Sequence, residues 1–296
     1  MDLIYRYDPF QPVARPAVAS AEEASRALTD GNDRLASLVK RMQLRTLGAE
    51  AGEPLVIPVS PISLGLPLVP GATLQQTPFA LVLGCSDARA PIEAIFDQSF
   101  NTLFVVRIAG NVLGTECLGS IDYAVRNLGQ SLKLVVVLGH SGCGAVSAAV
   151  DAYLSPHDFV DIAFTHALRS LVDRIQIAVR GASKALRSVG GDSIVSSPDY
   201  RENLIATAVY LNAAITAYDL KREISSLGIT TLPIVFGVYE LSTMRVQGLP
   251  DDRSRPPIPE SNFSPAPSSS DEFADLGAQL AKRLLSSGDV GSSTEW

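Results

Sequence analysis

The stretch GCSDARAP, Gly84–Pro91, ends the apolar run FALVLG (Phe79–Gly84) and places a thiol, a carboxylate and a guanidinium within five residues, Cys85 to Arg89. A second stretch, GHSGCGAV (Gly139–Val146), ends the similar run LVVVLG (Leu134–Gly139) and supplies His140 and Cys143. Short, β-branched, nearly continuous apolar runs bounded by turn residues read as strands of a sheet covered on both faces. LFVVR (Leu103–Arg107) and PIVFGVY (Pro233–Tyr239) are of the same kind.

Helical patterns lie between these runs: IEAIFDQ, CLGSIDYAVRNLG, Asp161 to Val189 and Leu204 to Leu227. Alternating strands and helices predict an α/β fold with a central, mainly parallel sheet flanked by helices. In such a sheet right-handed crossovers gather binding sites at the carboxyl ends of the strands. CSDAR and HSGC both leave such an end, so two loops distant in sequence are expected to face each other. Upstream, Ala21 to Met42 carries Ala24, Leu28, Leu35, Leu38 and Val39 at helical spacing. It reads as an N-terminal helical arm of one or two amphipathic helices, interrupted at Gly31-Asn32, whose apolar stripe needs a partner surface.

The 296 residues, 46% hydrophobic, suffice for one globular domain with appendages. A formal charge of −7 without a basic block argues against nucleic acid or an anionic membrane as partner and for a small neutral or anionic substrate. Three cysteines, Cys85, Cys117 and Cys143, are not a disulfide framework and favour a reducing, cytoplasmic setting. The N-terminal charges and prolines interrupt what a secretory signal would need, and five prolines in Pro54 to Pro70 would break a spanning helix. The expected organisation is a flexible N-terminus (1–20), a body (21–247) with insertions about 48–72 and 150–200, and a Pro/Ser-rich tail (248–296). Within the tail, Pro250 to Asp271 reads as a disordered linker before a short terminal helix.

Thiolate and imidazole together suit zinc, and three protein ligands leave a fourth tetrahedral position for water. His140 and Cys143, three apart in a glycine-containing turn, can converge on one ion if Cys85 arrives from the other loop. Taken singly, each residue has a plainer reading: the cysteines as small buried packing residues, His140 as a core or capping histidine. Asp87 with Arg89 equally reads as a surface ion pair. Cys117 reads as a packing residue, and His157 and His166 as exposed helix histidines, one of them a proton shuttle only if it reaches the rim.

The motifs CSDAR, FDQ, LFVVRIAGN, GSIDYAV, VVVLGHSGCGAV and FGVYELSTMRV occur in the order seen in β-class carbonic anhydrases, and ALTDGNDRL resembles that family's N-terminal helical segment. The resemblance covers roughly Ala21 to Val246. It implies zinc held by Cys85, His140 and Cys143, with Asp87 and Arg89 as a catalytic dyad beside it. A zinc-bound water has its pKa lowered to about 7, giving hydroxide that attacks carbon dioxide and yields bicarbonate. Asp87 would orient that nucleophile and Arg89 would hold the carboxylate in place; in some relatives the aspartate instead becomes the fourth ligand and closes the site.

Gln98, in FDQ, matches a glutamine that lines the substrate pocket, though it also reads as a helix cap. In RIAGN, Gly110 offers backbone N–H to an anion, while Arg107 equally serves a structural ion pair. The resemblance further implies a homodimer or dimer of dimers. Ala90 departs from the usual valine, and the two insertions bear on access to the pocket. Hydrolysis of carbon disulfide or carbonyl sulfide on the same site, and a non-catalytic zinc-stabilised binding or regulatory protein, are the alternative functions.

Overall fold

The computed structural model describes residues 3–7, 17–48, 55–59, 70–71, 73–249 and 262–286. The four predicted strands form at β3 (Ala80–Gly84), β4 (Leu103–Arg107), β5 (Leu134–His140) and β6 (Ile234–Glu240), with β1 (Leu3–Tyr7) and β2 (Leu55–Val59) preceding them. The main sheet runs β4-β3-β5-β6-β7, all parallel except β7 (Arg245–Gln247), which turns back antiparallel on β6. Every residue of β3 and β5 is buried, as their unbroken apolar sequences require.

Side-chain alternation divides the sheet between two helical layers. Leu81, Leu83, Val135, Val137 and Phe236 face α3 (Thr115–Asn127) and the C-terminal half of α7 (Tyr200–Ser226). Ala80, Val82, Leu134, Val136 and Leu138 face α1 (Ala21–Thr46), α2 (Ile92–Ile95) and Phe96. The chain leaves β3 for β4 on one side, then returns across β3 to β5. The crevice at the carboxyl ends of β3 and β5 is therefore a topological switch point, where open α/β sheets place ligands.

Three readings are revised. Gly31-Asn32 does not interrupt α1, which is one helix with Ser20 as its N-cap. The pair is instead its docking point. A Cβ on Gly31 would sit 1.8 Å from the Phe96 carbonyl oxygen, so only glycine lets the helix approach so closely. Asn32 is fully buried, donating Nδ2 to the Ile95 and Met244 carbonyls (3.1 and 2.9 Å) and accepting from Val246 N–H at 2.8 Å.

The stretch at 150–200, read as an insertion, contributes to the core. After α4 (Gly144–Leu154) and α5 (Phe159–Ile162), α6 (His166–Gly190) buries Val172, Ile175, Val179, Ala182 and Leu186 in a third cluster shared with α4, α7 and α8 (Ser270–Ser286). The tail is only partly a linker: residues 250–261 lie outside the described residues, but 262–271 do not follow that reading. Phe263 is buried against Phe96, β8 (Ser264–Pro265) pairs with β6, and α8 buries Leu280 and Ala281. An apolar stripe on α8 and the free edge of β6 supply the reason.

The segments read as a flexible N-terminus (1–20) and an insertion (about 48–72) meet as the parallel pair β1 and β2, both rich in residues of high β-propensity. Within that insertion, 49–54, 60–69 and 72 lie outside the described residues. No helix among the described residues is long and apolar enough to cross a membrane.

Replacing Asn32 by alanine leaves two carbonyls and one N–H without their partner, and should lower stability by about 2 to 4 kcal/mol. Urea denaturation should show this, with exposed Lys40→Ala within about 0.5 kcal/mol of the parent chain.

Candidate metal centre

Parallel register pairs Gly84 with Leu138, so Cys85 leaves β3 at the level where β5 reaches Gly139 and His140. The turn after His140 passes through Gly142 at φ 62, a left-handed conformation suited to glycine, and brings Cys143 back as N-cap of α4. The sulfurs of Cys85 and Cys143 end 4.0 Å apart. Together with a ring nitrogen of His140, the ligand atoms lie within 4.8 Å of one another, and all three residues are buried.

The donor set fits a tetrahedral ion. Two thiolates held at about 2.3 Å from one zinc stand about 3.8 Å apart, close to the separation seen. His140 Nδ1 lies 2.9 Å from the Ser141 carbonyl oxygen, which can only accept; the proton is therefore on Nδ1 and the Nε2 lone pair is free. That buried Nε2 has no hydrogen-bond partner, as a metal ligand requires. Ser141 is fixed in turn: its hydroxyl donates to Glu240 Oε1 at 2.8 Å and accepts from Leu241 N–H at 3.0 Å.

The two thiols divide their acidity. The neighbouring Cys143 thiol, followed by His140 and the Asp87 and Gly110 amides, brings Cys85 down to about 4 against the opposing effect of burial. The Cys85 thiolate and burial push Cys143 up. One negative charge is thus accommodated by the protein alone, and a divalent cation would permit the second.

Asp87 and Arg89 form a two-point pair, Arg89 Nε and a terminal nitrogen reaching the carboxylate at 3.0 and 2.8 Å, while Arg89 N–H also donates to Asp87 Oδ1. The same guanidinium donates to the Gly142 carbonyl at 3.2 Å and so ties the two loops together. Its hydrogen bonds hold the Asp87 carboxyl well below the usual carboxylate range despite partial burial. Asp87 Oδ2 stands 3.8 Å from His140 Nε2, beside the ligand cluster.

Arg107, read as an ion-pairing residue, instead donates to the Cys85 and Asp87 carbonyls at 2.9 and 2.6 Å and fixes the backbone of the first loop. Gly110, at φ 66, directs its N–H to Cys85 Sγ at 3.4 Å, and its carbonyl accepts from Asn212 Nδ2 at 2.8 Å. Gln98 donates to the Phe96 and Ala27 carbonyls, on the α1 side. His157 is exposed beside Asp158, His166 is exposed at the start of α6, and Cys117 is packed in the core. Sequence reasoning passed over Ser141, Glu240 and Asn212. The signal for Asn212 was an amide within the apolar run of α7; for Glu240, an acid ending a buried strand.

The family model described as carbonic anhydrase matches residues 80–213. Carbonic anhydrase 2 of Mycobacterium tuberculosis is 50% identical over 82 residues, 28% of this chain and 39% of that protein. The carbonic anhydrase of Mycolicibacterium smegmatis is 38% identical over 165 residues, 55% of this chain and 66% of that protein. The chain thus spans less than two thirds of the length of either relative. The solved structure of Coccomyxa β-carbonic anhydrase in complex with acetazolamide matches 58% of this chain and 72% of its own, at 22% identity and a TM-score of 0.46.

Purified protein should carry about one zinc per chain by elemental analysis, a tetrahedral site of this donor set holding one ion. Cys85→Ser and His140→Ala should each lose most of it and melt at lower temperature, since metal binding is coupled to folding. Asp87→Asn should keep it.

Proposed function

We propose that the chain is a β-class carbonic anhydrase, a zinc-dependent carbonate dehydratase interconverting carbon dioxide and bicarbonate; the carbonic anhydrase family match over residues 80–213 and the identities to the two mycobacterial carbonic anhydrases support the reading. The observation that carries the reading is the convergence of Cys85, His140 and Cys143 beside an ionised Asp87 held by Arg89. When bound, zinc supplies the Lewis acidity that makes water a nucleophile at neutral pH.

The chain's own groups do the rest. Asp87, kept ionised by the guanidinium, accepts a hydrogen bond from the attacking water and turns its lone pair toward the carbon of the substrate. Arg89 prevents the carboxylate from rotating, because its two-point grip defines one orientation. The new C–O bond forms as one C=O π bond of carbon dioxide opens onto its own oxygen, which takes the negative charge of bicarbonate, and the proton released from the water leaves for solvent. Asp87 is bonded to Arg89 rather than gathered among the ligands, which supports a site open to substrate at neutral pH. The Gly110 N–H against Cys85 Sγ supports its lining the same wall; the hydrogen bonds of Gln98 lend its substrate-lining role no comparable support.

The free thiols of Cys85, Cys117 and Cys143 support a reducing, cytoplasmic setting. Exposed Leu44 and Leu47 near the end of α1 support self-association as a homodimer or dimer of dimers. Light scattering at micromolar concentration should return a mass of at least two chains, and a monomer would count against that assembly.

Stopped-flow hydration on zinc-replete protein should be measurable at both pH 7 and pH 8.5. Activity at the higher pH alone would make Asp87 a closing ligand, and full zinc without hydration at either pH would overturn the reading. Asp87→Asn should reduce turnover by about 100-fold through loss of orientation.

A further inference from the structure

We propose that Asn212 is a positioning residue for the metal centre, acting on Cys85 through Gly110; the inference rests on the metal reading of Cys85, His140 and Cys143. Asn212 lies on α7, 102 residues beyond Gly110, and is 3% exposed. Its neighbours Leu211, Ala213 and Ala214 are fully buried and apolar. Asparagine is a weak helix former, and a buried amide is costly without a partner. Its Nδ2 meets the Gly110 carbonyl at 2.8 Å.

Gly110 is closed in on another side as well. A Cβ there would come within 2.8 Å of the Ile175 side chain and 3.1 Å of Ala145, so α6 and α4 press on the peptide while α7 holds its carbonyl. Held in this left-handed conformation, Gly110 can aim its N–H at Cys85 Sγ. An N–H···S hydrogen bond withdraws charge from a metal-bound thiolate and fixes the direction of its lone pairs. Arg107 anchors Cys85 by its carbonyl, and the Asn212–Gly110 relay anchors it by its sulfur. α7 therefore does more than cover the sheet: it sets the ligand's orientation and donor strength.

The test compares Asn212→Leu, which removes the donor while keeping the branched outline of the side chain, with Thr207→Val, which removes a buried hydrogen bond of the same helix (to the Asn203 carbonyl) away from Gly110. Asn212→Leu should weaken zinc binding about 10-fold by chelator competition. It should also move the thiolate-to-metal charge-transfer band of the cobalt-substituted protein to longer wavelength, since an unbonded thiolate donates more readily. Thr207→Val should leave both unchanged. Wild-type zinc affinity and an unmoved band in Asn212→Leu, or equal changes in Thr207→Val, would overturn the proposal.

If Asn212→Leu does not fold, NMR of the cadmium-113-substituted wild-type protein decides. Scalar coupling from the Gly110 amide proton to cadmium through sulfur, and from the Asn212 side-chain nitrogen to the Gly110 carbonyl carbon, should both appear; absence of either would refute the relay. These readouts do not depend on turnover. A zinc-loaded wild-type protein that fails to hydrate carbon dioxide would refute the proposed function and leave this inference standing.

Discussion

The parallel, in-register pairing of β3 with β5 is the constraint on which the site depends. With Gly84 opposite Leu138, Cys85 follows β3 at the level of Gly139, one residue before His140 ends β5 on the adjacent strand. A slip of one residue would turn Cys85 to the other face and move the apolar set of β3 between layers. Complete burial of both strands excludes such a slip, because Leu81 and Leu83 fit against α3 and α7, while Ala80 and Val82 fit against α1 and α2. The core thus specifies the register, and the register assembles the ligands.

Electrostatics then makes the assembled ligands unequal. Two buried sulfurs 4.0 Å apart cannot both carry charge in a low-dielectric site, so Cys85 is acidic at the expense of Cys143. Burial favours the same division, since Cys143 is the more deeply enclosed of the two and the backbone N–H groups of Ala145 and Val146 offset this only in part, while Gly110 N–H reaches Cys85 Sγ. A divalent cation removes the conflict by neutralising both thiolates at once. Cation affinity and fold stability are coupled through that conflict, and both fall when protons compete for the sulfurs.

The four apolar runs and the intervening helical periods revealed the parallel sheet, and the strand-end positions of Cys85, His140 and Cys143 pointed to their convergence. These are local signals, carried by period and by residue type. The roles of Gly31 and Asn32 were not readable, because glycine and asparagine inside a helix signal a break unless the facing Phe96 carbonyl and the Met244–Val246 turn are known. Arg107, Glu240 and Asn212 act through backbone carbonyls or another side chain across long sequence separations, and no spacing rule encodes such contacts. The docking of Phe263 and α8 escaped for a related reason: a proline- and serine-rich composition conceals a few well-placed apolar residues.

The Asp87–Arg89 pair shows why position outweighs strength here. Exposed ion pairs contribute little to stability, and the Arg89 side chain is 59% exposed. Its geometry is nevertheless tightly determined, since one guanidinium grips Asp87 and also binds Gly142 on the opposite loop, between the two ligands His140 and Cys143. The Asp87 carboxyl is depressed in the folded state, so its stabilising share is present above the ordinary carboxylate range and is lost only as pH falls below it. Near neutrality the carboxylate remains charged, and its bond to Arg89 competes with any move into the metal's ligand sphere. The loops that bring the ligands together thereby also decide which way the aspartate faces.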